Sequence, residues 1–160
     1  MSVPFLRLPG LSFREELSGK YWRLSRPVEE HRIALRLTAR AADVGATLQS
    51  RIWKLSGTLN AEGLASQRPI EGTLTFKLFD ERRLPYRLSF RGDDGIRYEL
   101  SGQKEWNAFA PFDALTLLSA SIYEEGGGEL ARATLRFDLL ANWSQWLRNV
   151  RWLSSKSAGL

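Results

Sequence analysis

Tyr86-Arg87-Leu88-Ser89-Phe90-Arg91-Gly92-Asp93-Asp94-Gly95-Ile96-Arg97-Tyr98-Glu99-Leu100 is the stretch whose reading decides the fold. On both sides of its turn, apolar residues alternate with charged or small polar ones, the period of a β-strand with one buried face. Asp-Gly accepts the positive φ that a tight turn between antiparallel strands demands. Residues of like parity on the two strands should therefore share a face, Tyr86, Leu88 and Phe90 with Ile96, Tyr98 and Leu100. Two tyrosine hydroxyls then enter an apolar space. They must pair with protein groups or water, or orient a ligand with one polar end, because an unpartnered buried hydroxyl costs free energy.

The same period recurs outward from this hairpin. Ile33, Leu35 and Leu37 alternate with Arg32, Ala34 and Arg36, and Trp53, Leu55, Gly57, Leu59 and Ala61 repeat the pattern. Ile70 to Leu78, Ala114 to Tyr123 and Glu129 to Leu139 follow suit, while Ser12 to Ser18 is the weakest of the set. The connections are short, with Glu62-Gly63 and Glu124-Glu125-Gly126-Gly127-Gly128 as further turn signals. The expectation is a mainly β fold, an antiparallel barrel-like sheet of seven or eight strands, because closure removes exposed edges. Two short helices are expected to interrupt it. One spans Asp43 to Gln49 behind a capping Asp43, with Val44 and Leu48 on one face. The other opens at Asn142, with Gln145 completing a capping box and Trp143, Trp146, Leu147 and Val150 at the i, i+3, i+4, i+7 spacing of a helix packed on the sheet.

The chain of 160 residues reads as a single domain, residues 1–160, with its core at about 12–153 and flexible ends. Hydrophobic residues at 43% and charged residues at 26% exclude a wholly disordered chain. Cysteine is absent and His31 is the single histidine, which excludes disulfide scaffolds, thiol nucleophiles and multi-histidine metal sites. The net charge of +5 is spread over strand residues such as Arg32, Arg36, Lys54, Arg87 and Arg132, each read as outward, so no nucleic-acid partner is expected. No apolar run reaches the length of a secretory signal or a transmembrane segment, and a cytoplasmic location is expected.

Catalytic constellations do not assemble. His31 lies beside Glu29, Glu30 and Arg32 at the expected start of a strand, and no G-x-S-x-G elbow presents a serine. The carboxylate pairs Glu15-Glu16, Glu29-Glu30, Asp93-Asp94 and Glu124-Glu125 are adjacent in sequence. Adjacent strand residues face opposite sides of a sheet, so these are not acid/base pairs. The expectation is a protein that is not an enzyme and carries neither cofactor nor metal.

The tryptophans are more informative. Trp22, Trp53 and Trp106 lie near strand ends, where an indole lines a barrel mouth or plugs it. Small residues at inward positions, Gly57, Gly72, Gly102, Ala131 and Ala133, either let the sheet bend sharply or leave room for a ligand.

The segment from Leu84 to Gly95, continued by Tyr98-Glu99-Leu100-Ser101-Gly102-Gln103-Lys104, resembles an accessory region attached to some bacterial flavin oxidoreductases of the glucose-methanol-choline family, the cholesterol-oxidase-like members. Those regions share the tyrosine-arginine-leucine strand, the Asp/Gly hairpin and the Leu-Ser-Gly-x-Lys strand. They also share a Phe-x-Glu-x-x-x-Gly stretch, here Phe13 to Gly19, and the similarity spans most of residues 12 to 140. The oxidase itself is not carried, since no dinucleotide fingerprint is present. The resemblance implies a freestanding relative of the accessory region, in the neighbourhood of sterol or lipid-like metabolism. Two functions stay open. One is a non-enzymatic, lipocalin-like barrel module binding an apolar or amphipathic small molecule, with Trp53, Tyr86, Tyr98, Leu100 and Trp106 as the lining. The other is an interaction module docking on an oxidoreductase through the sheet edge or Trp143, Trp146 and Trp152.

Overall fold

The computed structural model describes residues 10–77, 81–105, 117–137 and 151–153. Its elements are β1 (Gly10–Arg23), β2 (Arg26–Ala41), α1 (Val44–Ser50), β3 (Ile52–Ala61), β4 (Ala65–Thr75), β5 (Arg83–Arg91), β6 (Arg97–Glu105), β7 (Leu117–Glu124), β8 (Glu129–Arg136) and β9 (Arg151–Leu153). Each strand from β2 to β8 pairs with the next, β8 pairs with β1, and β1 pairs back with β2, which closes an antiparallel barrel of eight strands. The short β9 pairs with Gly10, Leu11 and Ser12, extending the edge of β1 whose other half, Ser18 to Arg23, is taken by β8. The stretch with the weakest alternation, Ser12 to Ser18, thus belongs to the 14-residue strand on which closure depends.

Alternation puts one parity of every strand inside. Leu17, Leu35, Leu59, Leu88, Leu100, Leu118, Ile122 and Leu135 are essentially fully buried and form one continuous core. The intervening Arg32, Arg36, Lys54, Arg87, Arg97, Arg132 and Arg136 face outward, as the pattern predicts. Gly57 and Gly72 resolve the question of bending against vacant space. A Cβ on Gly57 would overlap the Arg36 carbonyl oxygen, and one on Gly72 the Arg87 carbonyl oxygen, so these glycines permit close strand approach.

The two ends of the barrel differ. All four tight hairpins, β1–β2, β3–β4, β5–β6 and β7–β8, turn at one end. There the Asp93 carboxylate accepts from the Ser66 amide at 3.0 Å, the Ser66 hydroxyl at 2.9 Å and Arg68 Nε at 2.8 Å. The Asp93 amide donates to the Leu64 carbonyl at 2.9 Å, so the β5–β6 turn is tied to the β3–β4 turn. The Tyr21 hydroxyl donates to the Glu62 carbonyl, closing the same end from β1. The opposite end carries α1, between β2 and β3.

Three details differ from the sequence reading. Ile96 lies in the turn itself and is 40% exposed, because the β5–β6 register runs from Arg91–Arg97 inward and leaves it outside the ladder. Trp22 has the outward parity of β1 and lines an exterior groove with Arg83, Pro85 and Arg132, away from any mouth. His31 lies within β2, which starts at Arg26, and is half-buried against the Tyr21 ring at 5.2 Å between centroids. The first expected helix is present as α1, capped as expected by Asp43 Oδ1 accepting from the Ala46 amide at 3.2 Å, and its Leu48 is 70% exposed. One helix is present among the described residues; the one expected at Asn142, with Trp143, Trp146, Leu147 and Val150, lies outside them, as does Trp106.

Candidate functional site

Glu15 sits between Phe13 and Leu17 on the inward parity of β1, so the strand turns its carboxylate into the barrel. Tyr86 is inward on β5, four strands away from β1 in either direction around the closed sheet. The two side chains therefore meet across the barrel. The Tyr86 hydroxyl donates to Glu15 Oε2 at 3.0 Å and lies 3.3 Å from Oε1. Lys104, the penultimate residue of β6, donates from Nζ to Glu15 Oε1. Its ammonium lies 5.2 Å from the centroid of the Tyr86 ring and 5.6 Å from that of Phe137, within the reach of cation–π attraction.

The Lys104 and Glu15 side chains are only 5% and 8% exposed, whereas both partners of most other described ion pairs are at least one-third exposed. Burial, and then the adjacent Glu15 charge and its hydrogen bond, push the Tyr86 phenol well above its ordinary value. Tyr86 is thus a fixed neutral donor, and the three side chains together carry no net charge. Around them, Phe13, Trp53 and Leu84 are partly buried apolar residues packed on the core. Phe13 and Trp53 meet edge to face at 5.4 Å and 60°, and Leu84 stands directly opposite Lys104 in the β5–β6 register. An apolar rim surrounds a polar cluster at the barrel end away from the hairpins.

Of the expected site residues, Tyr86 belongs to this cluster and Trp53 to its rim. Leu100 is buried at mid-barrel, paired with Leu88 and Ile122. Tyr98 lies at the hairpin end, its ring stacked on Phe90 at 5.5 Å and its hydroxyl donating to Asp94 Oδ2 at 2.5 Å. Burial and the Asp94 hydrogen bond push the Tyr98 phenol up to about 12. Tyr86 and Tyr98 therefore share the inward face, as their parity predicts, yet serve opposite ends. Both hydroxyls have protein partners.

Glu15 and Lys104 are the residues that sequence reasoning missed. Their signal was present. Each carries the parity of its strand's apolar face, Glu15 with Phe13 and Leu17, Lys104 with Leu100 and Gly102. The sequence reading puts Glu15 and Glu16 on opposite faces, which sends one of the two inward, but assigns that carboxylate no partner.

A second feature lies outside the barrel. A groove of about 830 Å³ runs between α1 and the outer face of β3 and β4, lined by Ala41, Ala46 and Ile52 and edged by Arg40, Lys54 and Thr73. Among the described residues no cluster of three metal-ligating side chains occurs, and no helix is long and apolar enough to cross a membrane. No family model, no curated protein and no solved structure matches this chain, so the barrel and the cluster inside it carry the functional argument.

Proposed function

We propose that this protein is a non-enzymatic barrel module that holds an apolar or amphipathic small molecule in the cytoplasm. The ligand's polar end meets the Glu15–Lys104–Tyr86 cluster, and its apolar body lies against the rim of Phe13, Trp53 and Leu84. The buried ion pair is the observation that carries this reading. Exchanging such a pair for well-packed apolar residues is often neutral or stabilising, so stability alone does not account for its presence. A buried titratable group shifted by burial and a specific charged partner, as the Tyr86 phenol is, marks places where proteins bind or react. Barrels of about eight strands enclose one small ligand in other proteins. The single histidine packs on Tyr21, at the end away from this cluster, which leaves the cluster without an imidazole base.

Native mass spectrometry of protein purified under mild conditions tests the reading. A lipid-sized adduct that Lys104→Met loses supports it. A mass free of adducts, together with no uptake of any added amphiphile, contradicts it. A second reading, docking on an oxidoreductase as an accessory module, is favoured by the exterior groove beside α1, where Ile52 is 47% exposed. Co-purification of a flavoprotein, lost when Ile52 is replaced by a charged residue, would support that alternative.

A further inference from the structure

We infer that the barrel cluster selects a ligand whose polar end is an uncharged oxygen acceptor, an alcohol or a ketone, and rejects the corresponding carboxylic acid. This rests on the barrel reading proposed above and names the ligand class for the same site. The argument is one of charge and of donor inventory. Glu15 and Lys104 neutralise each other, and Tyr86 is held neutral by its surroundings. A ligand carboxylate would add an uncompensated negative charge beside Glu15, among the rings of Tyr86 and Phe137 and the aliphatic Leu84, where a bare charge is strongly disfavoured.

The donors and acceptors point the same way. Both oxygens of Glu15 already accept, from Lys104 and Tyr86, and the Tyr86 proton is committed to Glu15. An ammonium has three donors. Among the described residues the Lys104 ammonium has Glu15 as its one hydrogen-bond partner, and its other neighbours are the faces of Tyr86 and Phe137. The Lys104 ammonium thus keeps donor protons to spare, and lone pairs on Glu15 and on the Tyr86 oxygen remain for a hydroxyl proton. The ammonium calls for an oxygen lone pair, which an alcohol or a ketone supplies without disturbing the ion pair. An amine offers no such acceptor once protonated and would repel Lys104.

The test is a tryptophan-fluorescence titration of the full chain with four probes of equal chain length: oleyl alcohol, the matching long-chain methyl ketone, oleic acid and oleylamine, each below its aggregation threshold. Wild type is expected to bind the alcohol and the ketone roughly tenfold or more tighter than the acid or the amine. Glu15→Gln leaves Lys104 uncompensated, so the preference should swing toward the acid. Lys104→Met removes the donor, and should lose the alcohol and the ketone without gaining the acid. Because the wild-type series alone ranks the four probes, the inference stands or falls even where a variant does not fold. Equal or tighter binding of the acid by wild type overturns this inference and leaves the barrel reading intact. Binding of none of the four overturns both.

Discussion

Glu15 and Tyr86 are 71 residues apart in sequence, on opposed strands of the barrel, and 3.0 Å apart in space. The contact spans the interior, so β1 and β5 are coupled through side chains as well as through the sheet. Together with Lys104 it makes a buried polar unit whose members depend on one another. Removing one partner of a buried pair strands the other charge, a cost of about 3–5 kcal/mol, whereas replacing both with apolar residues is often neutral or better. Glu15→Met or Lys104→Met alone is therefore expected to lower stability by several kcal/mol, and the double variant Glu15→Met/Lys104→Met to recover most or all of it. Urea unfolding of the wild type, both single variants and the double variant measures the coupling directly.

Alkaline titration gives a second expectation. Tyr21, Tyr86 and Tyr98 all have phenols raised above their ordinary value, with burial the largest cause in each. The folded state therefore holds these protons after the unfolded chain would have released them. The stability they contribute is complete below the unfolded phenol value and is lost as pH rises through the folded one. For Tyr98 that window runs from about 10 to about 12. Tm should fall steeply across it, and Tyr98→Phe should flatten the fall. In a Tyr123→Phe background, tyrosinate absorbance should rise together with unfolding and not before it.

Much of this architecture was legible in the sequence, and the reason is the strand period. Tyr86, Leu88 and Phe90 occupy the same face as Tyr98 and Leu100 because alternation fixes direction without any knowledge of neighbours. Alternation is silent on two other matters. It does not say that β1, whose inward face carries Glu15 and Gly19 among its apolar residues, pairs with three other strands. Nor does it say which polar residue on an apolar face has found a partner across the barrel, since Glu15 and Lys104 are 89 residues apart. Ile96 was misplaced for a simpler reason: parity continues through a turn on paper, but the ladder stops at Arg91–Arg97.

The bending glycines supply a stability test. A methyl group on Gly57 would collide with the Arg36 backbone, which cannot move without disturbing the β2–β3 ladder. Overpacking of this kind costs about 1–3 kcal/mol or more. Gly57→Ala is expected to lower the thermal midpoint clearly. Gly128, in the β7–β8 turn, has open space around its added Cβ and no positive φ, so Gly128→Ala should be neutral.

The hairpin end supplies another. The hydrogen bond from Arg68, and then those from the Ser66 amide and hydroxyl, hold the Asp93 carboxyl below its ordinary value. A lowered carboxyl value contributes stability above the unfolded value, and that contribution is lost as pH falls through the folded one. Asp93→Ala should therefore speed hydrogen exchange at the Ser66 and Asp93 amides while leaving the β1–β2 ladder protected. The difference between variant and wild type should shrink on acidification.

The most direct measurement of the central claim is an amide and methyl chemical-shift map of the isotope-labelled protein, recorded as a long-chain alcohol is added to saturation. Binding in the barrel predicts that shifts concentrate at Phe13 to Glu15, Trp53, Leu84 to Tyr86 and Gly102 to Lys104, with the hairpin end around Tyr21 and Asp93 unmoved. Shifts confined to α1 and the outward residues Lys54, Ser56 and Thr73, or no saturable shifts at all, would contradict it.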